Sequence, residues 1–177
     1  MITLERITQP EHPLYARAME LYKLSFPDHE QREPASQARI LHDEDYHFTL
    51  VRDVGRFLGI ALYWEMPEAR YLEHFCILPE ARNGGCGRQV LSLLQQTGRP
   101  LILEIDPPVE EISRRRKGFY ERCGFVENPF PHVHPPYHPE NSGHPLQVLS
   151  SPRCLTREEY EMFAAYLRSR VMAGAFA

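Results

Sequence analysis

Tyr71-Leu72-Glu73-His74-Phe75-Cys76-Ile77-Leu78-Pro79-Glu80-Ala81-Arg82-Asn83-Gly84-Gly85-Cys86-Gly87-Arg88 is the stretch that decides the fold. Its first part is rich in aromatic and branched residues and is closed by Pro79, as a strand would be. Beyond the glycines, Cys86, Val90, Leu93 or Leu94, and Thr97 recur three or four apart, with Gly98 just past them as a helix stop. A strand therefore enters a helix through a glycine-rich turn. Such a turn gathers free backbone N–H groups at the positive end of the helix dipole, where glycines let a ligand come close. It reads as an anion cradle. No Lys-Ser/Thr pair follows, which argues against a nucleotide triphosphate loop, and Val90 replaces the third glycine of a dinucleotide fingerprint. A pyrophosphate without a bound metal fits; the plainer alternative is a tight turn with no ligand.

Outward from this stretch, the pattern predicts a layered α/β chain. On its N-terminal side lie an opening strand with Ile2, Leu4 and Ile7, a helix with Leu14, Ala18, Leu21 and Ser25, and a short helix from Pro34. Strands over residues 46–51 and 57–64, joined by the turn Asp53-Val54-Gly55-Arg56, complete an antiparallel meander with residues 70–78. On the C-terminal side, residues 101–105 read as a strand buried on both faces and parallel to its predecessor. A helix over residues 112–123 stops at Gly124, and Phe125-Val126 and Gln147-Val148-Leu149 read as final strands. Thr156 and Glu159 form a capping box for a closing amphipathic helix over about residues 156–172. That helix packs on its own sheet or on a twofold partner, which leaves a homodimer open.

Composition bounds the function. With 177 residues, 42% of them hydrophobic, and a formal net charge of −4, the chain reads as one compact domain over residues 1–177. The net charge offers phosphate backbones no general attraction, so no nucleic-acid partner is expected. Apolar runs are only a few residues long, against the roughly 20 needed to span a bilayer, so no membrane association is expected. Glu5 and Arg6 interrupt any secretory apolar run, and a cytoplasmic location is expected. Cys76, Cys86, Cys123 and Cys154 are dispersed and without a CxxC pair, and read as reduced thiols.

The quoted loop resembles the signature of the GNAT superfamily of acetyl-CoA-dependent N-acetyltransferases: Arg or Gln, two residues, Gly, one residue, Gly or Ala, here Arg82-Asn83-Gly84-Gly85-Cys86-Gly87. The likeness extends through the following strand to Phe119-Tyr120-Glu121-Arg122-Cys123-Gly124-Phe125 and covers residues 46–127 closely. Ser113 and Arg116 depart from the Asn and Ala usual on that last helix. The resemblance implies a mixed, mostly antiparallel central sheet flanked by helices, splayed between the fourth and fifth strands. It also implies acetyl-CoA as cosubstrate, held at its pyrophosphate by the amides of Asn83, Gly84, Gly85, Cys86, Gly87 and Arg88. The backbone of Phe75, Cys76 and Ile77 would pair with the pantetheine arm.

The implied activity is acetyl transfer to a primary amine, which needs a base, an oxyanion donor and an acid. Glu73 is the candidate base and Glu104 its competitor; His74 is expected to point to the opposite sheet face from Glu73. A backbone N–H near Cys76 is the candidate oxyanion donor. Tyr120 matches the family tyrosine and is the candidate acid toward the departing thiolate. Two alternatives stay open: a coenzyme-A-binding or sensing module without turnover, and transfer of a longer acyl group.

Two other features read more plainly. Arg114-Arg115-Arg116-Lys117 is more simply a solvated helix face than a phosphate site. His132, His134, His138 and His144 lie in a loop (129–145) with six prolines. No cysteine or carboxylate cluster completes a zinc set there, so no metal is expected. The loop, with Tyr137 and Phe130, is expected to line the pocket of a small-molecule or peptide amine.

Overall fold

The computed structural model describes residues 1–176. Its elements follow in the order β1 (Ile2–Ile7), α1 (Tyr15–Ser25), α2 (Pro34–Ile40), β2 (Tyr46–Asp53), β3 (Arg56–Glu65), β4 (Arg70–Ile77), α3 (Cys86–Gln95), β5 (Leu101–Ile105), α4 (Glu111–Arg122), β6 (Val126–Glu127), β7 (His132–His134), β8 (His144–Ser151) and α5 (Arg157–Tyr166). The strands form a mixed sheet in the order β1-β2-β3-β4-β5-β8-β6, with β7 paired to β8 off this path. Only β4 and β5 run parallel. Strand β7 sits in the segment the sequence reads as loop, because its prolines and histidines mask so short a ladder. No described helix is long and apolar enough to cross a membrane.

Two cores sandwich the sheet. On one face Tyr22 of α1, Phe163 of α5 and Val171 beyond it pack against Phe48, Trp64 and Tyr71. On the other, Val90, Leu91 and Leu94 of α3 pack against Ala61, Leu72 and Leu103. The closing helix therefore covers its own sheet. Its capping box forms, with the Thr156 side chain accepting from the Glu159 amide and the Glu159 carboxylate from the Thr156 amide. The β2–β3 turn holds Val54 and Gly55 at φ 44° and 80°, the pair of positive angles a tight hairpin requires.

Strand β4 carries the feature that builds the site. Opposite β3, Leu62 pairs with His74 but Tyr63 pairs with Leu72, so Glu73 is a bulged extra residue. The bulge breaks alternation: Glu73 meets Trp64, and His74 meets Tyr22 and Phe26, all on the α1/α5 face. This corrects the expectation that His74 faces away from Glu73.

Beyond the bulge, Gly59 of β3 lies so close to β4 that a Cβ there would sit 2.3 Å from the Cys76 carbonyl oxygen and 3.0 Å from Ile77 Cα. Gly59→Ala is expected to cost about 1–3 kcal/mol by overpacking against backbone. Thermal unfolding should show a Tm about 2–12 °C lower.

Candidate functional site

Parallel pairing of β4 with β5 ends at Leu72 and Leu103. One residue further on, at Glu73 and Glu104, the strands part as expected, and a cleft of about 1790 Å³ opens between them. Its walls include Glu73, Phe75, Cys76, Ile77, Arg82, Asn83, Gly85, Cys86, Gly87, Arg88 and Tyr120. Of the catalytic and coenzyme-binding candidates read from the sequence, Gly84 alone stands off the wall.

One end of the cleft is built to receive phosphate. Asn83 and Gly85 take positive φ of 66° and 76°, which turns the chain directly into α3, and no side chain caps its first amides. A Cβ on Gly87 would lie 3.2 Å from Phe119 Cζ, so any side chain here crowds this floor. Arg82 donates through Nε to the Ile77 carbonyl at 2.9 Å and braces the end of β4. Arg88, Arg115, Arg116 and Arg122 share the wall, so part of the arginine run faces the cleft rather than bulk solvent alone.

Along β4, Leu78 donates to the Leu58 carbonyl. By alternation the amides of Phe75 and Ile77 face the opposite, parted edge, which is open to an added strand. The amide of Cys76 faces β3 instead, so the donors nearest the expected oxyanion position are those of its neighbours.

The other end is a buried proton-holding cluster. Glu73 accepts from Arg32 Nη2 at 2.9 Å, Trp64 Nε1 at 2.8 Å and the Tyr137 hydroxyl at 2.8 Å. Arg32 and Glu73 side chains are 0% and 1% exposed. Burial alone would push the Glu73 carboxyl up, but the Arg32 charge, helped by the two other donors, outweighs it and brings the pKa to about 2. A carboxylate so saturated is a poor proton acceptor, and the base role expected of Glu73 does not fit this geometry.

Glu104 is pinned likewise. Tyr71 donates to one oxygen and His132 Nε2 meets the other, while His134 Nε2 lies 3.9 Å away. Burial is outweighed by His134 and His132, so its carboxyl stays below the ordinary range.

His134 is differently placed. Its Nδ1 lies 2.6 Å from the Pro135 carbonyl, which only an N–H can satisfy, so the neutral ring carries its lone pair on Nε2. That atom is 3.3 Å from the Tyr137 oxygen, whose proton is committed to Glu73. His134 is a buried wall residue of the cleft, and its Nε2 is a base with no competing donor. His74 is held neutral by burial and directs Nε2 at the Glu30 carbonyl, 2.9 Å away.

Sequence reading does not find Arg32 or His134 as site residues. The nearest signal was the His-x-His spacing of 132 and 134. The carboxylates that the linear reading lacks for these histidines come from distant segments: Glu104 beside His132 and His134, and Asp106 beside His144. Tyr137 lines the cleft as expected, whereas Phe130 stacks on Tyr160 at 4.5 Å between centroids.

Tyr120 sits on the cleft wall, beside Phe119 and Phe125. Burial pushes its hydroxyl up to about 12, so it keeps its proton at any working pH.

A sheet parted at its centre over an uncapped, glycine-entered helix is the architecture of an acyltransferase. The model of the acetyltransferase (GNAT) family matches residues 12–125, and the chain belongs to that family, whose members use acetyl-CoA. A protein of Bacteroides thetaiotaomicron assigned to the GNAT acetyltransferases superimposes with a TM-score of 0.89 at 30% identity, over 96% of this chain and 98% of its own. The ribosomal-protein-S18-alanine N-acetyltransferase of Escherichia coli shares the fold, with a TM-score of 0.57 and 19% identity over 89% and 97%. So does an acetyltransferase of Bacillus subtilis in complex with CoA, at 0.56 and 12% over 84% and 95%. Among curated proteins none matches the chain by sequence.

Proposed function

We propose that the protein transfers an acetyl group from acetyl-CoA directly to a primary amine within a ternary complex. The observation that carries this reading is the parting of β4 and β5 immediately before Glu73 and Glu104. It sets an unpaired strand edge, the α3 amides, Tyr120 and His134 around one cleft.

Acetyl-CoA supplies the activated acetyl group. The amides of residues 83–88, with Arg88 and Arg122 on the wall, hold its pyrophosphate, and the free edge of residues 75–77 pairs with its pantetheine arm. His134 Nε2 accepts the proton that the amine sheds as its nitrogen attacks the thioester carbonyl. Glu104, 3.9 Å away, stabilises the imidazolium that forms. Glu73 is a positioning residue that fixes Tyr137 against His134. As the C–S bond breaks, Tyr120, which burial keeps protonated, donates to the departing sulfur. The arrangement of donors leaves Glu104 in second place as a base, because both its oxygens are already occupied.

Tyr120→Phe is expected to lower kcat at least about tenfold, a floor below the roughly 10²- to 10⁴-fold usual for general acids and bases, with little change in coenzyme affinity. An unchanged kcat removes Tyr120 from the reaction. The reading as a whole is tested by calorimetry with acetyl-CoA and by thiol release across a panel of amines. Binding without thiol release points to a sensing module, no binding overturns the coenzyme site, and faster turnover of longer acyl esters redefines the donor.

A further inference from the structure

At the acceptor-side mouth of the cleft, four side chains that the acetyl-transfer reading does not use converge from segments far apart in sequence. His29 and Glu30 stand on a one-turn helix (Asp28–Glu30) after α1, Asp106 just past the end of β5, and His144 at the first position of β8. All four line the cleft. One ligand atom from each of His29, Glu30 and His144 lies within 4.8 Å of the others. The two imidazole rings stack nearly parallel, 5.1 Å between centroids and 20° between planes. His144 Nε2 is 3.2 Å from Asp106 Oδ1, and Arg116 holds the other Asp106 oxygen at 3.2 Å.

We propose that His29, Glu30 and His144, completed by Asp106, bind a divalent transition-metal ion of the zinc type. Two imidazoles and two carboxylates form a mixed nitrogen and oxygen set, which suits zinc. Magnesium and calcium want six or more oxygens and find no such shell here. Tetrahedral zinc at bonds of about 2.0–2.1 Å sets its ligands about 3.4 Å apart. His29 is 49% exposed and Glu30, His144 and Asp106 are 29%, 28% and 38% exposed, so these side chains have room to turn toward that spacing. Arg116 already orients Asp106, as an outer partner of a metal ligand does. The ion would staple the segment before α2 to the start of β8 across the mouth. Its exclusion of acceptor follows only if the acetyltransferase reading holds; the metal site itself does not depend on that reading.

The test is calorimetry of zinc chloride with the intact, reduced, coenzyme-free protein, alongside cobalt(II) absorption spectra. One ion per chain with tetrahedral cobalt bands is expected, uncompeted by equal magnesium or calcium. His29→Ala and His144→Ala should each weaken zinc at least about tenfold; both are partly exposed, and unchanged melting and circular dichroism establish that the variants fold. The proposal is overturned if the native chain takes up no zinc, if the double variant keeps native affinity, or if cobalt shows thiolate charge-transfer bands, which would put the metal on the cysteines.

Discussion

His134→Gln is expected to lower kcat by about 10²-fold, the usual worth of a positioned general base, while leaving the KM for acetyl-CoA near its native value. The ring is poised by two fixed contacts: Nδ1 is spent on the Pro135 carbonyl, and Tyr137, whose proton belongs to Glu73, offers Nε2 nothing. Glutamine keeps the size and a donor but has no basic lone pair. A lower kcat at native melting temperature and native KM for acetyl-CoA separates this role from a structural one. A variant with native kcat would return the base role to Glu104. Partial rescue of the variant by added imidazole would complete the case for His134.

Arg32→Met should be the most destabilising single change in the site. Removing one partner of a fully buried ion pair typically costs about 3–5 kcal/mol, because the other charge is left unpaired. For a chain of this size that is a Tm lower by about 6–20 °C. The dependence on pH also reverses sign. In the native protein the Glu73 carboxyl sits at about 2 against an ordinary 4.5, so its stabilisation is complete above pH 4.5 and is lost as pH falls toward 2. Without Arg32, burial dominates and lifts that carboxyl above 4.5. Stability of the variant is then greatest in acid and declines as pH rises through the lifted value. Arg32→Met combined with Glu73→Gln should recover most of the loss, because no buried charge remains. Urea unfolding between pH 3 and 8 decides the matter, and a single variant within about 1 kcal/mol of native at pH 7 would show that the pair is not electrostatically coupled.

Much of the scaffold is legible in the sequence because its signals are local. The glycines at 84, 85 and 87 stop one period and start another, Pro34 opens α2, and Thr156 with Glu159 caps α5. The coenzyme end of the cleft is legible for the same reason, being built from one continuous segment. The acceptor end is not, since its chemistry is assembled across the fold. Arg32 meets Glu73 forty-one positions away, and His132 meets Glu104 across twenty-eight. Nothing in either neighbourhood announces the pairing. The bulge at Glu73 is equally silent, because alternation is the rule by which strands are read and a bulge is its interruption. That interruption puts His74 on the face that alternation would deny it.

The kink in β4 also bears on how such a cleft is acquired. Deleting Glu73 would restore an uninterrupted two-residue rhythm, with His74 opposite Leu62 and Leu72 opposite Tyr63 as they already are. Every greasy neighbour would keep its seat, but Arg32 would be walled in with no anion opposite it, so a shortened chain should be about as fragile as one without the guanidinium. The surplus bead and its cationic lodger come as a set.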